Sequence, residues 1–335
     1  MSWFKKFCIN HLITYIILNL KNSFLINNIF FNIIIMTIRP IKNISLSQPT
    51  LEGAGVKLNR AFGFGNSQAS DPFLLLDDFR NDIVEDYKNG FPWHPHRGIE
   101  TITYILKGTV EHSDSLGNIG NLNSGDVQWM TAGSGILHQE MPKGNEKGEM
   151  HGFQLWSNLP SSLKMTSPRY QDIPSQEIKE IHDDDGSQIR IIVGKYRGYK
   201  GPVIDISTDP QFLDIFVPPN TLKTIPVSVD KNALAYIFEG SGKFDYASPP
   251  RGINIEKSIN GNEIKIQDQS GNKTLINFDK GDNIKLMSGE NGIRFLLICG
   301  KPIQEPVAWH GPIVMNNYDE IKLAMKELND GTFIK

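Results

Sequence analysis

The 335-residue chain is predicted to be all-β, two small antiparallel barrels in tandem with one short helix near the C-terminus. Three observations carry that prediction. From Met36 onward, short apolar and aromatic runs are separated by closely spaced Gly and Pro, the punctuation of strands and turns. The chain also echoes itself: Thr103-Tyr104-Ile105-Leu106-Lys107-Gly108 is matched by Ala235-Tyr236-Ile237-Phe238-Glu239-Gly240, and Ser124-Gly125-Asp126 with Met130 by Lys280-Gly281-Asp282 with Met287. Two copies of one β unit are implied, each a strand ending at Gly and a Gly-Asp turn opening another strand, which suits small barrels. Helical periodicity is clear in one place only, where Asn317 can cap with Glu320 three residues on. There Ile321, Ala324, Met325 and Leu328 share a face and Gly331 ends the run.

In chain order, residues 1–35 form an apolar leader, 36–167 the first barrel, 168–301 the second, and 302–335 a tail with the helix. The leader is rich in Ile, Asn, Phe and Leu and carries +3, leaving −6 on the remainder. Its run from Phe7 to Leu20 is too short to span a bilayer, and Lys21, Asn27, Asn28 and Asn32 interrupt the rest of the leader, so stable membrane insertion is not expected. A start at Met36 is the reading preferred here; a signal anchor or organellar leader is the alternative. In the second copy the Gly-to-Gly interval is 41 positions (Gly240 to Gly281) against 17 (Gly108 to Gly125), so an insertion is placed around Asn260–Asn272 as a hairpin or surface loop.

Composition narrows the functional classes. With 39% hydrophobic and 21% charged residues, the chain is neither disordered nor a polytopic membrane protein. Lys+Arg 34 against Asp+Glu 37, without a long basic run, gives no footprint for direct nucleic-acid binding. Two cysteines, Cys8 and Cys299, make neither a disulfide framework nor a thiolate zinc site. Asp77 with Asp78 read as surface carboxylates and Asp183 to Asp185 as a solvated turn. Gly53-Ala54-Gly55 and Gly63-Phe64-Gly65 lack the rest of a nucleotide-binding loop.

The chemistry concentrates in the first unit, where five of eight histidines fall between positions 94 and 151. His94-Pro95-His96 and His138-Gln139-Glu140 are both i, i+2 pairs, whose side chains share one face of a strand. If the two segments face each other, three neutral imidazoles and a carboxylate meet at one point, a mixed N and O set suited to a divalent metal with open positions. A lone His-x-His is usually incidental; here both pairs lie on matched positions of one repeat unit. Glu100 competes with Glu140 for the carboxylate position, since strand parity permits either. His112 and His151 read mainly as hydrogen-bonded structural histidines with a supporting role near the ligands as the alternative, and His310 as structural. In the second copy the positions corresponding to His94 and His96 are Pro226 and Ser228, and residues 160–300 hold only His182, so one metal per chain is expected.

The sequence resembles the pirin family of the cupin superfamily. The resemblance is carried by Asp71-Pro72-Phe73-Leu74-Leu75, Phe91-Pro92 with His94-Pro95-His96-Arg97-Gly98, and Gly125-Asp126-Val127-Gln128-Trp129-Met130-Thr131-Ala132-Gly133. It continues through Gly135-Ile136-Leu137-His138, Glu140-Met141-Pro142, Gly152 with Gln154-Leu155-Trp156, and the tail segments Glu305-Pro306-Val307, His310-Gly311-Pro312 and Val314-Met315-Asn316. It covers the chain from about Met36 to the C-terminus. The resemblance implies a bicupin with non-haem iron held by His94, His96, His138 and Glu140, favouring Glu140 over Glu100, and a tail that packs back on the first barrel. Mn, Ni or Zn are alternatives to Fe in such a site. It further implies either quercetin 2,3-dioxygenase-type turnover of a small aromatic or flavonol-like substrate, with Glu140 as base as well as ligand, or a nuclear co-regulator that binds a transcription-factor complex, as with nuclear factor kappa B. Nucleus and cytoplasm are the implied locations, with the leader leaving a membrane or organelle open. The basic cluster of transcription-factor-binding members reads Lys57, Asn59 and Arg60 here.

Overall fold

Period-two alternation along the strands decides which side chains meet. The structure is a computed structural model that describes residues 37–65, 67–245, 258–259, 262–263 and 270–335; the leader, with Cys8 and His11, lies outside them. In the first half, a sheet of 7 strands runs Arg169–Ile173, Val127–Thr131, Ile99–Lys107, His151–Asn158, Phe73–Asp78, Val56–Phe62, Gln48–Glu52. A sheet of 4 strands, Phe91–His96, Ile136–Lys143, Thr109–Asp114, Ile119–Leu122, faces it across a cavity lined from both. The second half is a sheet of 9 strands whose main path runs Ile41–Leu46, Thr274–Phe278, Asn232–Phe244, Asn283–Gly300, Gln211–Val217, Gln188–Val193, Lys179–His182. All named strand pairs join antiparallel, as the two-copy β reading requires.

Ile41–Leu46 lies early in the chain yet pairs with Thr274–Phe278 in the sheet of the second half. Arg39 anchors this crossing: it is fully buried and its guanidinium donates to the carbonyls of Asp279, Ser228 and Lys231. In the insertion, Ser258–Ile259 pairs with Asn262–Glu263 as a short hairpin, and the rest of its residues up to 269 lie outside those described.

The strand Ile99–Lys107 shows how one sequence serves two environments. Ile102 and Tyr104 point away from the cavity into a core shared with Phe212, Leu234, Tyr236, Phe238, Leu296 and Ile298 of the second half. Thr103, on the other face, lines the cavity. The corresponding interior of the second half is solid, filled by Leu213, Ile215, Ala235, Ile237, Ile276, Leu286, Phe295 and Leu297 among others.

Polar locks sit within the shared core. Tyr104 Oη donates to Asp214 Oδ2 at 2.7 Å, and Arg294 grips the same carboxylate through Nε and Nη2 at 2.9 and 2.7 Å. Reciprocally Tyr236, the echo of Tyr104, donates to Asp78 Oδ2 at 3.0 Å, and Arg80 pairs with that carboxylate. Each repeat thus sends a buried phenol into an Asp–Arg pair of the other half. These contacts correct the reading of Asp77 and Asp78 as surface carboxylates: both are buried, Asp77 against Arg60. Asp183 likewise is not solvated but buried against Lys223 and Tyr196, while its neighbour Asp184 is exposed.

The C-terminal helix spans Tyr318–Asn329, with Asn317 Oδ1 accepting from the Glu320 amide at 3.0 Å and Ile321 and Ala324 buried. Its companion in the tail is a hairpin, Ala308–His310 with Ile313–Met315. No helix among the described residues is long and apolar enough to cross a membrane.

Because hydrogen bonds to charged groups contribute about 1.5–3 kcal/mol, Tyr104→Phe and Tyr236→Phe should each lower unfolding free energy by roughly that amount. Urea unfolding followed by circular dichroism measures it; a loss below about 0.5 kcal/mol in both variants would show that the phenols contribute packing alone.

Candidate metal centre

Strand register brings the two histidine pairs together. Phe91–His96 is the edge strand of its sheet, where Pro92 and Pro95 are tolerated because no neighbour needs their amide. It pairs with Ile136–Lys143 so that His94 lies opposite His138, and an irregularity separates that pair from Glu140. His94, His96 and His138 each offer a ring nitrogen within 4.8 Å of the others, a group that can hold a metal ion. His94 Nε2 stands 3.1 Å from His96 Nε2 and 2.9 Å from His138 Nε2.

The outer ring nitrogens fix what those inner atoms are. His94 Nδ1 lies 2.8 Å from the Pro92 carbonyl and His96 Nδ1 lies 3.1 Å from the Pro312 carbonyl. A carbonyl only accepts, so each Nδ1 carries the proton and each Nε2 presents a bare lone pair. Two such lone pairs 3.1 Å apart repel unless a cation lies between them. His96 and His138 are also held well below the ordinary histidine pKa, first by burial and then by the neighbouring imidazoles. Neutral imidazoles are the form that ligates, so the residues present fit a divalent cation.

Glu140 lines the same cavity, 6% exposed, but its carboxylate is not within the distance that groups the three histidines. Thr103 Oγ1 lies 2.9 Å from Glu140 Oε1 and 2.8 Å from Gln154 Oε1. One hydroxyl has one proton for two acceptors, a count that closes when the Gln154 amide is turned so that its nitrogen donates to Thr103 and Thr103 donates to Glu140. Glu140 Oε2 then remains without a hydrogen bond among the described residues, facing a cavity of ≈ 410 Å³, within the range of small-molecule pockets. Phe64, Phe91, Trp93, Leu75, Phe79 and Trp156 supply its apolar walls, and the Arg60–Asp77 pair a polar one.

Parity also places Glu100. Three positions from Thr103, it points to the opposite face, where it is 2% exposed, accepts from Thr131 Oγ1 at 2.8 Å, and is absent from the cavity lining. Of the two carboxylates, Glu140 is the one that shares the space of the imidazoles.

The other histidines separate by environment. The His112 ring packs against His138, with centroids 5.4 Å apart, and its Nε2 lies 3.3 Å from Asp114 Oδ2. His151 is buried between Phe153 and Phe238 with Nε2 3.5 Å from Asp78 Oδ1, in the contact between halves. His182 pairs with Glu180 at the exposed end of its strand, and His310 is exposed. Pro226 and Ser228 stand where the second copy would need ligands, and no second histidine group occurs among the described residues. Sequence reasoning missed Thr103, Gln154 and the Pro312 carbonyl. The echo held one signal: Thr103 aligns with Ala235, the only polar-for-apolar exchange at an inward position of that motif.

Comparison with known proteins identifies the family. The Pirin family pattern matches residues 55–157 and the Pirin C-terminal cupin domain pattern residues 212–334. The chain belongs to the pirin family. It is 38% identical over 299 residues to a pirin-like protein of Caulobacter vibrioides, covering 89% of this chain and 100% of that protein. It is 38% identical over 281 residues to Pirin-1 of Arabidopsis thaliana, covering 82% and 88%. Among solved structures it is similar to a quercetin 2,3-dioxygenase from Acinetobacter baumannii, with TM-score 0.74, 30% identity, and coverage of 88% of this chain and 98% of that one. The cupin-type two-domain β fold with a short C-terminal helix is therefore established for this family member.

Both cations of the segment Lys57, Asn59 and Arg60 face carboxylates. Lys57 pairs with Asp86 at 2.9 Å, and Arg60 is turned against Asp77 and Glu52 in the cavity wall.

Burial raises the Glu100 carboxyl to about 7 from 4.5, with the bond from Thr131 opposing the shift. A folded value above the unfolded one means stability fully present below pH 4.5 and lost as pH rises through 7. Glu100→Gln removes that loss, so its melting advantage over the native protein should widen from pH 5 to pH 8, by at most about 3 kcal/mol. Scanning calorimetry at the two pH values tests it; an advantage independent of pH refutes the assignment.

Proposed function

We propose that this pirin-family protein is a quercetin 2,3-dioxygenase-type oxygenase using one iron ion per chain, held by His94, His96 and His138 with Glu140 completing the set. The observation that carries the reading is the convergence of three imidazoles, two of them with Nε2 proton-free, near a buried carboxylate that lines an aromatic-walled cavity. The similar quercetin 2,3-dioxygenase of Acinetobacter baumannii supports it. No observation favours the nuclear co-regulator.

Iron held by these residues would supply Lewis acidity and redox chemistry toward substrate oxygens and dioxygen. The protein's own residues do the rest. Trp93, Phe91 and Trp156 offer aromatic surface to a flat ring system, and the apolar walls exclude water from the reacting end. Glu140 takes the proton of the substrate hydroxyl at its carboxylate, while the bond from Thr103, oriented by Gln154, keeps the other oxygen in place. The Pro92 and Pro312 carbonyls hold the protons of His94 and His96 away from the centre.

Metal analysis of protein from its native host should give close to one iron per chain, and dioxygen uptake with quercetin should accompany loss of the flavonol absorption band. His96→Ala should abolish both metal retention and uptake. Glu140→Gln should keep iron in larger part and lower kcat by roughly 10²–10⁴-fold, the usual contribution of a positioned base. Iron-loaded protein that consumes no dioxygen with any flavonol refutes the enzyme reading and leaves the centre standing.

A further inference from the structure

We infer that Lys164 is a positioning residue of the metal centre, acting through the C-terminal tail on the tautomer of His96. The inference rests on the metal reading of the three histidines but not on the reaction assigned to them.

Lys164 is 1% exposed, and its ammonium spends all three protons on neutral acceptors: the Gly98 carbonyl at 2.9 Å, Asn158 Oδ1 at 2.8 Å and the Val314 carbonyl at 3.0 Å. No carboxylate pairs with it among the described residues. A buried cation held this way is costly and calls for a reason. Its acceptors supply one. Gly98 is two residues beyond His96, and Val314 is two beyond Pro312, whose carbonyl holds the His96 Nδ1 proton. Lys164 therefore ties together the two backbone segments whose spacing sets that bond.

The approach of these segments is too close for a side chain: a Cβ on Gly98, at φ +77°, would fall 2.0 Å from the Val314 carbonyl oxygen. The Val314 amide donates to the Arg97 carbonyl at 3.1 Å. Arg97, 1% exposed, extends the clasp by donating to the Ser134 and Phe333 carbonyls, and pairs with Glu327 of the helix at 2.7 Å. With the tail undocked, His96 loses its Nδ1 acceptor and nothing keeps the proton off Nε2. Metal binding and tail docking are then linked, and linkage is reciprocal: a change that weakens one weakens the other.

The test uses the full chain, native and Lys164→Met, titrated with Co(II) against a chelator, Co(II) being read by its ligand-field absorption. Amide exchange of residues 313–315 is followed by mass spectrometry. The variant should bind Co(II) roughly 10–100-fold more weakly at a temperature where it remains folded, the usual effect of disturbing a ligand's supporting partner. In the native protein, Co(II) should slow exchange at 313–315, a readout that needs no variant to fold. Unchanged Co(II) affinity with a loosened tail, or exchange at 313–315 indifferent to Co(II) in the native protein, overturns the inference while the metal centre survives. A native protein that binds no Co(II) overturns both.

Discussion

Two backbone carbonyls determine what the histidine cluster is. Imidazole is ambidextrous: either nitrogen can carry the proton, and three rings brought together without instruction would share hydrogen bonds. Pro92 and Pro312 remove that choice for His94 and His96 by accepting the Nδ1 protons. Burial then disfavours the cationic form of His96 and His138. The result is two facing lone pairs, on His94 and His96, which a cation placed between them would satisfy, so the ligand character of these two rings derives from the hydrogen-bond acceptors placed behind them.

The two halves apply one strand pattern to opposite ends. Tyr104 and Tyr236 hold equivalent positions and make equivalent phenol–carboxylate bonds across the shared core. One residue earlier, the inward position is Thr103 in one copy and Ala235 in the other, and the interiors diverge accordingly. Around Ala235 the space closes with aliphatic packing; around Thr103 it opens into a cavity lined by a carboxylate, an amide and the imidazoles of His94 and His96. A cavity forgoes the dispersion contacts that a filled interior provides. The filled second half and the common apolar layer supply packing contacts that the hollow half forgoes in its own interior.

Much of this was legible in the sequence because it depends on period two and on spacing. The i, i+2 histidine pair, the single capped helix and the internal echo all express local rules, and His94, His96 and His138 converge as those rules require. The choice between Glu100 and Glu140 was not legible in strand parity, which says nothing about which face meets the cavity; only the family resemblance favoured Glu140. Asp77, Asp78 and Asp183 read as exposed for a related reason: their partners Arg60, Tyr236 and Lys223 lie 17, 158 and 40 positions away, and a buried carboxylate is indistinguishable from an exposed one until such a distant partner is located. The crossing of Ile41–Leu46 to the far sheet and the return of Pro312 to His96 are likewise long-range backbone events without a side-chain signature.

Those long-range events are what make the site a property of the whole chain. The strand Ile99–Lys107 gives Thr103 to the cavity and Tyr104 to the second half, so the hydroxyl that positions Glu140 is flanked by a phenol locked to Asp214 and Arg294. From the other side, the tail delivers the Pro312 carbonyl, secured by Lys164 and Arg97. The carboxylate is thus referenced to the second half and one imidazole to the C-terminus, while His94 takes its reference from Pro92 on its own strand. A displacement of either remote element changes the distance between Glu140 and the three histidines without touching any of them. Residues far from the cavity are therefore where altered metal affinity can arise without a change in ligand identity.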